Sequence, residues 1–146
     1  MALRNIQFFQ QQTDYKVRNK QHLRKWIQQL ITQEAGLKIS AINIIICDDP
    51  YLLEINQAYL DHDTYTDIIT FDLSQEEDVL STDIYISIDR IIENASLFSN
   101  KSTEDELHRV IAHGLLHLCG YNDEAEDEKK EMTDAEDRWL GARSWK

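Results

Sequence analysis

The sequence predicts an α+β domain: a roughly four-stranded mixed sheet packed with about five helices. Three observations predict it. Apolar residues alternate between strand spacing and helical spacing along the chain; the resulting order is β-α-β-α-β-β-α-α-α; and no linker, repeat or low-complexity stretch interrupts it, with one proline and four glycines as the main punctuation. A chain of 146 residues, 42% hydrophobic with three Trp and six Tyr, can fill the core of one domain spanning residues 1–146.

Residues 3 to 9 read as the first strand. Leu23, Trp26, Ile27, Leu30 and Ile31 then recur at helical spacing until Gly36 stops the helix. Ile39 to Cys47 is the second strand. Asp48 or Asp49, followed by Pro50, starts a helix in which Leu52, Leu53, Ile55, Asn56 and Tyr59 carry the periodicity to about Leu60. Asp67 to Leu73 and Asp83 to Ile88 are strands, with the acidic turn SQEED between them. Asp89 caps a helix reaching Phe98. Thr103 and Glu106 make a capping-box pattern at the start of the next helix, and a last helix runs from about Glu124 to Leu140. That last helix is mostly charged, with Met132, Ala135, Trp139 and Leu140 as a narrow apolar stripe, so its acids read as a solvated face without chemistry.

A formal charge of −12 works against passive attraction to nucleic acid or anionic membrane, so any phosphate substrate must be attracted locally. Cys47 and Cys119, each flanked by apolar residues, read as reduced core thiols rather than a disulfide framework. The N-terminal residues show no apolar core followed by a cleavage site, and no apolar run approaches the roughly 20 residues needed to span a bilayer. A cytoplasmic protein is expected.

The chemistry concentrates in HGLLHLCGYND, His113 to Asp123. At about 100° per residue, His113 and His117 differ by about 40° in azimuth and one turn in height, so both imidazoles can face one ion. On an uninterrupted helix Asp123 would point about 280° away from His113, so the helix must end first. Gly120 supplies the break, because glycine takes the left-handed conformation at a helix C-terminus and lets the chain fold back. Asp123 can then close the site, which falls on a late helix and the turn after it. Cys119, about 200° from His117, reads as a packing residue. Leu107, Val110, Ile111, Leu115 and Leu118 lie away from the histidines and should bury the helix against the sheet.

A metallopeptidase helix of the HExxH kind places a glutamate after the first histidine as general base; here Gly114 stands there, which argues against peptide hydrolysis and leaves room for something large. Two histidines and a carboxylate with an open fourth position suit a hydrolytic zinc ion and also the facial triad of non-haem iron, so the residues leave the metal open.

These residues resemble the YbeY endoribonucleases, bacterial ribosomal-RNA maturation factors with the signature HGxLHLxGYDH. His113, Gly114, Leu116, His117, Leu118, Gly120 and Tyr121 fit it as they stand. Upstream, INQAYLDHDTYTDIITFD, Ile55 to Asp72, is similar to the family's LNxxYRxxDxxTDVLSFP segment, and TDIYIS, Thr82 to Ser87, to its GDIxIS strand. The resemblance implies one Zn²⁺ per chain, another divalent metal being possible, held by His113, His117 and, in the third histidine's place, Asp123. It also implies metal-assisted cleavage of single-stranded RNA, a role at the 3′ end of small-subunit 16S ribosomal RNA and in ribosome quality control, and the small subunit or its assembly factors as partners. Neither a membrane nor DNA is an expected partner.

The chain departs from the family in two further places. The family's Asp before the third histidine is Asn122, and its arginine after the tyrosine of LNxxYR is Leu60. To replace that lost cation near the scissile phosphate, Arg109, one turn before His113 and pointing toward the cleft mouth, and His62, in the loop after Leu60, are the catalytic candidates beside His113, His117 and Asp123. Thr66 and Asp67 occupy the family's TD pair and are expected to contact substrate or to orient a ligand. The competing class is a non-catalytic ribosome-assembly module whose metal only staples the last helices; a metallopeptidase is the third reading.

Overall fold

A computed structural model describes residues 5–60, 66–97 and 102–146. Four strands, β1 (Ile6–Gln11), β2 (Lys38–Cys47), β3 (Ile68–Asp72) and β4 (Val79–Ser87), form one sheet in the order β1-β2-β4-β3. β1 and β4 run parallel to β2, and β3 pairs antiparallel with β4 at the edge. The central position explains the composition of β2: Ile42, Ile44, Ile45, Ile46 and Cys47 are all buried, as expected of a strand covered on both faces. In β4 the burial alternates through Leu80, Thr82, Ile84 and Ile86.

The five helices are α1 (Lys20–Ala35), α2 (Asp49–Leu60), α3 (Ile88–Leu97), α4 (Thr103–Leu118) and α5 (Glu126–Gly141). Leu23, Trp26, Ile27, Leu30 and Ile31 turn one face of α1 into the main core, where they meet Leu107, Val110, Ile111 and Leu115 of α4 and the sheet residues Ile42, Ile44, Ile84 and Ile86. α1 stops where glycine was expected to stop it: Gly36 sits at φ 66°, and its N–H donates to the carbonyls of Ile31 and Thr32. Leu52 of α2 joins Cys47 and Ile69 in a smaller core.

The α+β class, the four-stranded mixed sheet and the element order agree with the sequence reading, while several boundaries move. β1 lies further along than 3–9; residues 3 and 4 fall outside the described part. β4 begins at Val79, four residues before Asp83, because Val79 to Thr82 already pair with Lys38 to Ile42 of β2. Asp48 caps α2 by accepting from the Tyr51 N–H at 2.9 Å. Asp89 is not the cap of α3: the Ser87 hydroxyl accepts from the Arg90 N–H, and Asp89 accepts instead from the Asp49 N–H. In α4 the cap is Ser102, which accepts from the Asp105 N–H, so Glu106 turns inward and is buried rather than closing a box with Thr103. Phe98, the expected end of α3, lies outside the described residues. Among the described residues no helix is long and apolar enough to cross a membrane.

Candidate metal centre

The apolar side of α4 is committed to the core, which leaves His113 and His117 together on the opposite, half-exposed side with ring centroids 4.7 Å apart. After Leu118 the chain reverses through Gly120, at φ 106°, whose N–H donates to the His117 carbonyl; the Tyr121 N–H then donates to the Leu116 carbonyl. The reversal delivers Asp123. Its Oδ2 lies 3.3 Å from His113 Nε2 and 3.4 Å from His117 Nε2.

The other nitrogen of each ring is engaged. His113 Nδ1 lies 2.6 Å from Glu136 Oε2, and His117 Nδ1 lies 3.0 Å from the Tyr121 carbonyl oxygen. Acceptors at both Nδ1 atoms favour the Nδ1–H tautomer, which would leave both Nε2 lone pairs for an ion shared with Asp123. One ligand atom from each of the three side chains lies within 4.8 Å of the others. Ligands about 2.0–2.2 Å from a tetrahedral ion are about 3.3–3.5 Å apart, so these two separations suit a shared divalent cation. Two imidazoles and a carboxylate, all partly open to solvent, are a donor set for zinc or a related metal with room for a further ligand.

The centre opens onto a cleft of about 550 Å³ between α4, the C-terminal end of α2 and β3. Asn56, Leu60, Thr66 to Thr70 and Gly114 line it together with His113, His117 and Asp123. A Cβ on Gly114 would stand 2.7 Å from Ile68 Cδ1 and 3.1 Å from Thr70 Cγ2. The large group for which Gly114 makes room is therefore the side of β3, and the glycine sets how closely α4 approaches the sheet.

The electrostatics follow the same geometry. The Glu136 hydrogen bond raises the His113 pKa against the opposing effect of burial, with the charges of Glu136, Asp123 and Asp67 adding to the rise. Burial pushes the Asp67 carboxyl above its ordinary range, partly offset by backbone hydrogen bonds and the nearby His113.

The structure brings His113, His117, Asp123, Thr66 and Asp67 together around one cleft and leaves Leu60 at its rim. It does not bring Arg109 there. Its guanidinium turns to α5, with Nη1 on Glu136 Oε1 at 2.8 Å and Nη2 on Asp137 Oδ1 at 2.6 Å. Two acids on adjacent positions of α5 outcompete the cleft mouth for its fork of donors. His62 lies outside the described residues. Among the described residues that line the cleft there is no lysine or arginine.

Sequence reasoning missed Glu136, counted among the solvated acids of α5. The signal was present: 136 falls with Met132, Ala135 and Trp139 on the buried stripe, and an acid at an apolar position needs a partner.

Fold and site together define a class: an α+β protein that presents two histidines of one helix and a carboxylate beyond its end to an open cleft. The family model described as Endoribonuclease YbeY matches residues 5–143. Among curated relatives, the "Endoribonuclease YbeY" of Cytophaga hutchinsonii is 45% identical over 99% of this chain and all of its own length. The relative of the same name from Flavobacterium psychrophilum is 44% identical over 90% of this chain and 92% of its own, and that from Bacteroides thetaiotaomicron is 46% identical over 85% and 88%. A solution structure of a Thermotoga maritima protein is 29% identical and superposes with a TM-score of 0.62, covering 92% of this chain and 86% of its own. This chain belongs to the YbeY endoribonuclease family.

Proposed function

We propose that this chain, a single domain spanning residues 1–146, is a zinc-dependent endoribonuclease that hydrolyses phosphodiester bonds of single-stranded RNA. The observation that carries the metal dependence is the convergence of His113 Nε2, His117 Nε2 and Asp123 Oδ2 at the mouth of an open cleft. Its relatives' shared name supports RNA as the substrate class. The likeness of His113 to Tyr121 to the family signature supports cytoplasmic action on the 3′ end of small-subunit ribosomal RNA and in ribosome quality control, with the small subunit or its assembly factors as partners.

A divalent ion on this triad would supply Lewis-acid polarisation of a phosphoryl oxygen and acidification of water. The chain's own contribution is positional. His113 and His117 hold their Nε2 lone pairs toward one point, and the Gly120 reversal keeps Asp123 opposite them. Thr66 and Asp67 line the wall beside that point, where they can orient substrate or water.

A second reading, a non-catalytic assembly module stapled by metal, draws support from the link between His113 and Glu136, which ties α4 to α5. Cleavage of single-stranded RNA by purified protein, with and without stoichiometric zinc and with His117→Ala, separates the two. The enzyme reading expects zinc-dependent cleavage lost in a folded His117→Ala. Failure of the wild type to cleave with zinc present, joined to unfolding of His117→Ala, establishes the staple.

A further inference from the structure

Glu136 is not a metal-ligand candidate, yet it touches one. Its Oε2 lies 2.6 Å from His113 Nδ1, its Oε1 accepts from Arg109 Nη1 at 2.8 Å, and its side chain is only 9% exposed. Arg109, itself 18% exposed, completes its fork on the neighbouring Asp137. Both carboxylate oxygens are thus fixed, one by a guanidinium and one by the imidazole.

We propose that Glu136 is a positioning residue of the metal centre, fixing the ring orientation and Nδ1–H tautomer of His113, and that Arg109 serves by clamping Glu136. This rests on the metal-centre reading above and deepens it. A carboxylate can only accept, so the proton between Oε2 and Nδ1 belongs to the ring, and the Nε2 lone pair is left for the shared ion. The two histidines then differ. His117 Nδ1 donates to the neutral carbonyl of Tyr121, whereas His113 donates to an anion withdrawn from water. A charge-assisted bond is the stronger of the two and makes the imidazole the better donor, so His113 anchors the ion more tightly. The expected place of Arg109 in the cleft is exchanged for one behind the histidine, where it holds an acid that shares the buried stripe of α5 with Met132, Ala135 and Trp139.

Glu136→Gln tests the proposal because it keeps the shape but can donate to Nδ1 as readily as accept from it. Two quantities are measured: zinc affinity by competition with a chromophoric chelator, and the ¹⁵N shifts of His113 in the metal-free protein at about pH 9, where neutral imidazoles report their tautomer. The expected result is a tenfold to hundredfold loss of zinc affinity, with the His113 signals moving from a pure Nδ1–H tautomer to a mixture. Arg109→Met should give a smaller loss in the same direction and covers the case in which Glu136→Gln does not fold. Unchanged affinity and tautomer in a folded Glu136→Gln would reduce the contact to a helix tie and overturn the proposal. A wild type that binds no zinc overturns the metal reading instead, and the tautomer measurement still decides the role of Glu136.

Discussion

The hydroxyl of Tyr121 donates to Glu34 Oε1 at 2.8 Å, joining the turn after α4 to a residue of α1 87 positions earlier in the chain. Glu34 gathers two more donors on Oε2, Trp139 Nε1 and Arg138 Nη2, each at 2.7 Å. Burial alone would raise its pKa, but the bonds from Trp139, Arg138 and Tyr121 outweigh that and lower it. The main-chain carbonyl of Tyr121 meanwhile accepts from His117 Nδ1, so one residue braces the turn on α1 and holds the His117 ring. Glu34→Ala strands three donors, one of them on the buried indole of Trp139, and should cost about 2–4 kcal/mol. Tyr121→Phe removes one donor of three and should cost about 1 kcal/mol. Urea unfolding of the two variants checks the ratio; equal losses would mean that the hydroxyl alone secures the turn.

Gly114 offers a second test, because two effects of similar size oppose each other there. Alanine is favoured over glycine in a helix interior by about 1 kcal/mol. The new Cβ, 2.7 Å from Ile68 Cδ1, must displace that side chain, and it can do so because the clash is with the flexible end of a half-buried residue. Gly114→Ala should therefore leave stability within about 1 kcal/mol of wild type while pushing Ile68 into the cleft and slowing RNA cleavage. Gly114→Val adds bulk against Thr70 Cγ2, at 3.1 Å from the Cβ position alone, and should destabilise by about 1–3 kcal/mol. Thermal unfolding and cleavage rates on the same samples read both effects.

The histidine pair, the break at Gly120 and the return of Asp123 were legible because they lie within eleven consecutive residues, where helix geometry alone sets distances. The partners of those residues were not. Glu136 stands 23 residues from His113 and Glu34 stands 87 from Tyr121, and only the packing of α5 and α1 against α4 joins them. Arg109 was misplaced for the same reason: its azimuth near His113 was right, but a long side chain follows its counter-ions, and these lie on another helix. In the sheet, the alternating Val79–Thr82 was hidden by the acidic turn before it, since its pairing with β2 depends on residues forty positions upstream.

His108 gives the fold a pH dependence whose sign can be worked out. It is 1% exposed, and Arg143 Nη1 donates to its Nδ1 at 2.8 Å, so the imidazole is neutral in the folded protein. Burial first, and the Arg143 charge next, bring its pKa down to about 4. Unfolded, it titrates near 6.5. Between these values the unfolded chain binds a proton that the folded one refuses, so stability falls as pH drops from about 6.5 to about 4, by on the order of 3 kcal/mol in total, and is fully present above that window. His108→Asn keeps an acceptor near the Nδ1 position and does not titrate. Its unfolding free energy should decline less steeply across the window than that of wild type; parallel profiles would show that the acid loss comes from carboxylates instead.

Asp123 stands where the three-histidine signature of the family has its last histidine, and its replacement gives the sharpest test of the candidate site. Its Oδ2 lies 3.3 Å and 3.4 Å from the two Nε2 atoms, and it stands on a short turn held by Gly120 and Tyr121. Asp123→Ala removes one of three donors without touching the core, since the side chain is 37% exposed, so the domain should stay folded while zinc affinity falls by more than about a hundredfold. Asp123→His replaces an anionic oxygen with a neutral nitrogen, which zinc accepts as readily, and raises the net positive charge of the centre by one unit. Zinc affinity should then match or exceed that of wild type, and cleavage should gain from a more acidic bound water. Chelator competition measures the first and RNA cleavage against pH the second. Equal zinc affinity in the wild type and in Asp123→Ala would take Asp123 out of the ligand set.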